Sequence, residues 1–197
     1  MSKGSLFVIS GPSGTGKGTL CTELLKQDNI FLSVSATTRD KRVGETEGVT
    51  YYYTDTESFK KMIDAGEMLE YAVYSGNYYG TPKKAVCDML EEGKNVILEI
   101  EAQGALKVKD LLPEAVLIFV VPPSISELRK RLTERGREDS AEIERRIEAA
   151  KWEFSQSPKY NYVIVNDELT RCVDETLSII KAANERQQMI ERLLNEI

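Results

Sequence analysis

The stretch Gly11-Pro12-Ser13-Gly14-Thr15-Gly16-Lys17-Gly18-Thr19, directly behind the apolar run Leu6-Phe7-Val8-Ile9, constrains this chain more than any other. A buried strand, a glycine-rich loop and a helical segment carrying Leu20, Leu24 and Leu25 form the setting in which Gly-x4-Gly-Lys reads as a phosphate-binding P-loop rather than a plain turn. Glycines at 11, 14 and 16 let backbone N–H groups approach phosphate oxygens, the following helix adds the positive end of its dipole, and Lys17 supplies a mobile cation. Gly18 stands where such loops usually carry the Ser or Thr whose hydroxyl reaches Mg²⁺, and the nearest hydroxyl is Thr19. Either Thr19 or water fills that position, or the nucleotide phosphates and an acidic residue elsewhere hold the metal.

The 197 residues suffice for one well-buried core with room for insertions. A net charge of -6 argues against broad, nonspecific nucleic-acid binding, which needs basic surface to displace counterions. The three cysteines, Cys21, Cys87 and Cys172, are widely spaced and follow no metal-ligand pattern, so they read as reduced thiols in a cytosolic protein. A strand that begins by Leu6 leaves no space for a signal peptide, and no apolar run reaches membrane-spanning length. With no histidine in the chain, any imidazole mechanism is excluded.

After a first helix from Gly16 to about Gln27, the segment from Phe31 to Arg42 begins as a strand and delivers Arg39 and Arg42 into a loop. An arbitrary arginine pair is usually just solvated, but Ser35 and Tyr51 nearby complete the set expected of a second anion site. Residues 34–81 are rich in tyrosine, threonine and short strands: Val49 to Tyr53, Met68 to Tyr74, a tight turn at Ser75-Gly76-Asn77, then Tyr78 to Thr81. A short helix from Thr56 to Ala65 interrupts them, and the whole reads as a small β-rich insertion. Pro82 opens the next helix, which stops at Gly93. The run Asn95 to Glu101 suits a central parallel strand whose C-terminal end faces a ligand crevice, with Glu99 and Glu101, two residues apart, on one face. The alternative is a pair of exposed acids at an edge. A helix over Gln103 to Leu111 and a strand over Val116 to Val121 follow, and Ser124 to Glu127 has the pattern that caps a helix start. Dense charge up to Lys151 reads either as a solvated, salt-bridged helical pair or as a hinged lid, with Arg131 and Arg135 on one helix face and Gly136 at the turn. A last strand, Tyr162 to Val165, ends at Asn166-Asp167, and an amphipathic helix from about Thr170 uses Val173, Leu177, Ile180, Ile190 and Leu194.

These residues resemble a guanylate kinase over nearly the whole chain. The resemblance rests on Ser-Gly-Pro-Ser-Gly-Thr-Gly-Lys at 10 to 17, Ser-Val-Ser-Ala-Thr-Thr-Arg-Asp-Lys-Arg at 33 to 42, Ser-Gly-Asn-Tyr-Tyr-Gly at 75 to 80, Leu-Glu-Ile-Glu-Ala-Gln-Gly at 98 to 104 and Val-Ile-Val-Asn-Asp at 163 to 167. It implies an α/β fold: a three-layer P-loop kinase core with a parallel five-stranded sheet, a small β-rich GMP-binding insertion and a helical lid. The core would comprise residues 1–33, 82–125 and 153–197, the GMP-binding part 34–81 and the lid 126–152. The implied activity is transfer of the γ-phosphoryl group of ATP to GMP, and to dGMP, directly and in line with Mg²⁺ as cofactor, in the cytoplasm and with no nucleic-acid or membrane partner. By resemblance Gly11 to Thr19 and Asn166 bind ATP. Arg39, Arg42, Tyr51 and Tyr79 hold the GMP phosphate, and Ser35, Glu70, Thr81 and Glu101 read guanine. Lys17, Arg39, Arg42, Arg131, Arg135 and Arg146 serve catalysis, and Thr19 or Glu99 lies on the metal side. Thr81 and Glu101 stand where Ser and Asp are common in the family.

Two rival readings stand beside this one. A small P-loop kinase for another nucleotide or a phosphorylated sugar would keep the P-loop and lid without the guanine-reading set. A guanylate-kinase-like scaffold would typically have lost the P-loop lysine and lid arginines, whereas Lys17, Arg131, Arg135 and Arg146 are all present.

Overall fold

The computed structural model describes residues 3–74, 76–134 and 140–196. Apolar runs with few polar interruptions become the strands of a central sheet: β1 (Leu6–Ser10), β2 (Ile30–Leu32), β7 (Asn95–Glu99), β8 (Val116–Val121) and β9 (Tyr162–Val165). All pairings in it are parallel, in the order β2-β7-β1-β8-β9. In β1 the register sets Val8 beside Leu98 of β7 and Leu117 of β8.

Alternation along these strands sorts the core into two halves. Val8, Val96, Leu98, Leu117 and Phe119 face one side, where they meet Val86 and Leu90 of α3 (Lys83–Glu91) and Ala105 and Val108 of α4 (Ala102–Leu111). Phe7, Ile9, Ile97, Ile118 and Val120 face the other, against Leu20 and Leu24 of α1 (Lys17–Leu24) and Cys172 and Ile180 of α7 (Leu169–Asn195). The result is three layers with the sheet in the middle. Phe7, Val8 and Ile9 are fully buried, and burying each side chain of this size stabilises the fold by about 1.5–3 kcal/mol.

A second sheet is inserted between β2 and β7. It contains β3 (Ala36–Thr37), β4 (Tyr52–Tyr53), β5 (Met68–Tyr74) and β6 (Asn77–Pro82), in the order β4-β3-β6-β5. Only the β3–β4 pair is parallel. Between β4 and β5, α2 (Thr56–Asp64) is capped by Asp55, whose side chain accepts from the Ser58 N–H at 2.8 Å. The expected turn is present at Gly76, whose φ of 78° is left-handed, while Ser75 lies outside the described residues.

After β8, Ser124 Oγ accepts from the Glu127 N–H at 3.1 Å and starts α5 (Ile125–Glu134), as its capping pattern predicts. Leu128 and Leu132 of α5 pack with Ile143, Ile147 and Ala150 of α6 (Ser140–Gln156) in a small separate core. Arg135 and Gly136 lie outside the described residues.

Three details differ from the sequence reading. The run expected as one strand start near Phe31 divides, since β2 ends at Leu32 in the central sheet and β3 begins at Ala36 in the second. The expected Val49 to Tyr53 strand shortens to Tyr52–Tyr53, because the preceding residues form a turn in which the Val49 and Thr50 N–H groups bond back to the Thr46 carbonyl. In α7, Val173, Leu177 and Ile180 pack as expected, but Ile190 and Leu194 are exposed. No helix among the described residues is long and apolar enough to cross a membrane.

Candidate active site

The C-terminal ends of β1, β7 and β9 converge on the P-loop, the crevice that parallel sheets offer to ligands. Gly11, Gly14 and Gly16 have φ of 139°, 92° and 90°. At Gly16 a Cβ would stand 2.4 Å from Asn166 Nδ2, and at Gly11 one would stand 2.3 Å from the Val120 carbonyl oxygen. Both positions therefore need glycine for space as well as for backbone conformation. Asn166, at the end of β9, donates from Nδ2 to the Thr15 carbonyl at 2.8 Å, so it braces the loop. Thr15 Oγ1 donates to the Pro12 carbonyl at 2.9 Å. Lys17 Nζ donates to the carbonyls of Gly11 and Pro12, the latter at 3.0 Å, which holds the cation over the loop. Beside it, Gly14, Gly16, Thr19, Arg131, Asn166 and Leu169 line an open cleft of about 390 Å³.

Helices α5 and α6 touch this loop directly. Arg146 Nη1 donates to Ser13 Oγ at 3.0 Å. Arg131 is held at Nε by Glu127 at 2.8 Å and donates from Nη2 to the Asn166 carbonyl at 3.0 Å. Leu128 and Leu132 lie 3.0 Å from where a Gly14 Cβ would stand. Arg131 and Arg146 are thus brought to the P-loop from two different helices.

Beside the second sheet, Arg39 clusters with Tyr51, Tyr53 and Tyr79. Arg39 Nη2 contacts both oxygens of Glu45, at 2.7 and 3.0 Å, and its guanidinium lies 5.6 Å from the centre of the Tyr51 ring. Tyr51 and Tyr79 meet edge to face at 6.0 Å. Glu45 also accepts from the Arg42 N–H at 2.8 Å and from the Tyr53 hydroxyl at 2.7 Å. Burial alone would raise the Glu45 carboxyl, but these hydrogen bonds outweigh it and bring it down to about 2. The Arg42 side chain is exposed. Ser35 contributes its carbonyl to the Tyr52 N–H at 2.9 Å. Sequence reasoning missed Glu45; its only signal is an acid three residues after Arg42 at a glycine turn, a pattern common to many surface loops.

Glu70 is 6% exposed, with Oε1 accepting from Thr81 Oγ1 at 2.8 Å across the β5–β6 pair. Burial raises its carboxyl, and the like charge of Glu101 adds to this while Thr81 and Lys107 counter it. A Cβ on Gly104 would stand 2.6 Å from Glu70 Oε2, so a glycine here keeps the carboxylate's second oxygen clear. Glu101 is raised by burial too.

Glu99 and Glu101 do not share a strand face. β7 ends at Glu99, and Glu101 is the residue preceding α4, so the alternation that would align them is broken. Glu99 turns toward the P-loop helix, 3.7 Å from where a Gly18 Cβ would stand, and its charge also reaches Tyr51. Glu101 belongs with Glu70 instead. No group of three or more His, Cys, Asp or Glu side chains among the described residues is placed to hold a metal ion. An oxygen-seeking Mg²⁺ fits here only with nucleotide phosphates as its main ligands, with Glu99 the carboxylate beside position 18. Near the end of α6, burial pushes Glu153 up to about 7 despite the nearby Lys17 cation, and the Glu101 charge adds to the rise.

The chain matches the profile of the guanylate kinase family over residues 3–183. It is 49% identical to the guanylate kinase of Clostridium tetani over 191 residues, covering 97% of this chain and 92% of that protein. It is 50% identical to that of Halalkalibacterium halodurans over 192 residues, covering 96% and 94%. The crystal structure of guanylate kinase from Anaplasma phagocytophilum superposes with a TM-score of 0.78 at 37% identity, over 92% of this chain and 86% of that one.

Proposed function

The chain belongs to the guanylate kinase family, an ATP:GMP phosphotransferase, and we propose on that premise how its own residues divide the reaction. The P-loop cleft takes ATP and the second-sheet pocket takes GMP, as the lid closes over both. The observation that carries this reading is the buried Glu70, with one oxygen held by Thr81 and the other kept clear by Gly104. Guanine presents N1–H and N2–H donors that a carboxylate accepts, whereas adenine presents an acceptor at N1. Adenine would leave a buried carboxylate unpaired, which costs enough to discriminate. Glu101 and Ser35 complete the base pocket.

Arg39, Arg42, Tyr51 and Tyr79 hold the GMP phosphate at the mouth of that pocket. The acceptor is already an anionic oxygen, so no general base is needed and catalysis is alignment and charge neutralisation. The Lys17 ammonium turns from the loop carbonyls to the β- and γ-phosphates, and the amides from Gly11 to Thr19 cradle them. Arg131, Arg135 and Arg146 bring charge from the lid, and Asn166 braces the loop on the adenine side. Bound with ATP, Mg²⁺ supplies further charge neutralisation, with Glu99 or Thr19 on its side of the site. Residues 34–81 act as the GMP-binding part and 126–152 as the lid, on a core of 1–33, 82–125 and 153–197. The reading includes action in the cytoplasm, where ATP and reduced thiols coexist.

The test is ADP formation from ATP and Mg²⁺ with GMP, dGMP, AMP, UMP and CMP offered separately, beside a control without acceptor. Activity confined to the guanine nucleotides is expected, with Lys17→Ala depressing turnover in a folded protein. Comparable use of AMP, or near-normal turnover of Lys17→Ala, would refute these assignments.

A further inference from the structure

Cys21 is 1% exposed on α1, where Leu20 and Leu24 are also buried. A free cysteine in such a place is ordinarily a small apolar filler with a weak S–H donor. One neighbour here is not apolar. The Cys21 thiol is hydrogen-bonded to the Glu99 carboxylate, and burial, with the Glu99 charge adding to it against the pull of Lys17, raises the thiol well above its usual range. The sulfur therefore keeps its proton and is the donor of that bond.

Glu99 reaches this thiol because of its place in the sheet. Alternation along β7 sends Ile97, and so Glu99, to the side of α1, where Glu99 pairs in register with Ile9 of β1. Gly18 and Cys21, three residues apart on α1, present one helix face to it. The two Glu99 oxygens stand 3.7 and 3.8 Å from where a Gly18 Cβ would be, so the carboxylate presents both to position 18. That is where P-loops usually carry the Ser or Thr hydroxyl that reaches Mg²⁺, and with glycine there the α1 side of the site lacks that oxygen. What faces the space instead is a carboxylate on a long side chain, whose orientation depends on what holds it. A leucine at position 21 would set hydrocarbon against that carboxylate and offer it no donor. The thiol adds one directional bond.

We propose that Cys21 is a positioning residue for phosphoryl transfer: its S–H holds the Glu99 carboxylate at Gly18, on the metal side of the site, in place of the hydroxyl that the P-loop lacks. This rests on the placing of Glu99 beside Mg²⁺ under the proposed function. At 1% exposure Cys21 has no surface to offer ion or nucleotide, so it acts through Glu99.

Three substitutions separate positioning from packing. Cys21→Ser keeps a donor of similar size, Cys21→Val fills the space without one, and Cys21→Ala removes both. The Mg²⁺ concentration for half-maximal GMP phosphorylation is expected to rise roughly tenfold in Cys21→Val and Cys21→Ala, the low end of what losing an outer partner of a metal ligand costs, and to stay within about twofold of wild type in Cys21→Ser. In a Glu99→Ala background, Cys21→Val is expected to add less than about twofold, since the two residues act as one unit. The contact itself is read in the protein without nucleotide, from the infrared S–H stretching band that Cys21→Ala removes. Donation to an ionised carboxylate lowers its frequency, and Glu99→Ala is expected to return it upward. This comparison does not use Val at position 21, so it holds even where that variant folds poorly. A band that does not move in Glu99→Ala, a requirement rescued by Val rather than Ser, or a full tenfold loss added by Cys21→Val without Glu99 would overturn the proposal. If Glu99→Ala itself leaves the Mg²⁺ requirement unchanged, the placing of Glu99 fails and the proposal falls with it; if Glu99→Ala raises it and Cys21→Val does not, only the proposal falls.

Discussion

Arg39 and Glu45 form a two-point ion pair beside the second sheet, with Arg39 Nη2 2.7 Å from one carboxylate oxygen and 3.0 Å from the other. The same carboxylate takes the Arg42 N–H and the Tyr53 hydroxyl, so one acid orients the chain segment that carries both proposed phosphate-binding arginines. Its role is that of a positioning residue, acting through Arg39.

Glu45→Gln keeps the size of the side chain but loses the charge that anchors Arg39. The KM for GMP is expected to rise roughly tenfold, about 1.4 kcal/mol, while the KM for ATP changes little. Because the Glu45 carboxyl lies near 2 in the folded protein, below its ordinary 4.5, its stabilising contribution is complete above 4.5 and is lost as pH falls from there toward 2. Acid unfolding followed by circular dichroism should therefore begin at higher pH in Glu45→Gln than in the wild type. Superimposable acid transitions would contradict this role.

Glu70 has the opposite sign. Burial raises its folded carboxyl above the ordinary value, so the ionised form weakens the fold as pH rises through that range. Glu70→Gln is expected to melt at a higher temperature than the wild type at neutral pH, yet to raise the KM for GMP roughly 10- to 100-fold, about 1.4–2.7 kcal/mol. A variant that gains no stability, or one that loses ATP binding equally, would remove Glu70 from the base pocket.

Glu153 titrates near 7 on the same reasoning, since burial outweighs the attraction of Lys17. In the protein without nucleotide, stability should fall as pH rises from 4.5 through 7. Glu153→Gln should melt above the wild type at about pH 8 and with it at about pH 4.5, where the native carboxyl is already neutral. Equal melting temperatures across the range would show that the carboxyl is not held away from water.

Gly18→Ser tests the metal side. A Cβ there meets Glu99 Oε1 at 3.7 Å, an ordinary contact, so the added hydroxyl fits without displacing the loop. The Mg²⁺ concentration for half-maximal turnover is expected to drop several-fold if position 18 faces the metal, and melting temperature to rise slightly as a helix glycine is replaced. An unchanged metal requirement would place the ion away from position 18.

Much of this architecture could be read before any coordinate. The P-loop, the buried strands on either side of it and the Ser124 cap all depend on contacts within a few residues, where glycine stereochemistry, apolar runs and hydroxyl caps act locally. Asn166 is different: its place after the last strand was legible, but its hydrogen bond to Thr15 spans 151 positions. Resemblance pointed to Glu70 and Thr81, and the β5–β6 register is what joins them.

The sequence by itself determined the glycine-rich loop behind a buried strand and that the core is a buried parallel sheet, because backbone geometry and hydrophobic burial are written in neighbouring residues. Only the tertiary structure decided that Glu45 anchors Arg39, that Gly104 clears space for Glu70, and that β7 ends at Glu99 and parts it from Glu101. It also decided that the last turns of α7 leave their apolar stripe uncovered. Each of these depends on which surfaces meet after packing, and a pattern along the chain cannot tell a stripe that will be buried from one that will face water.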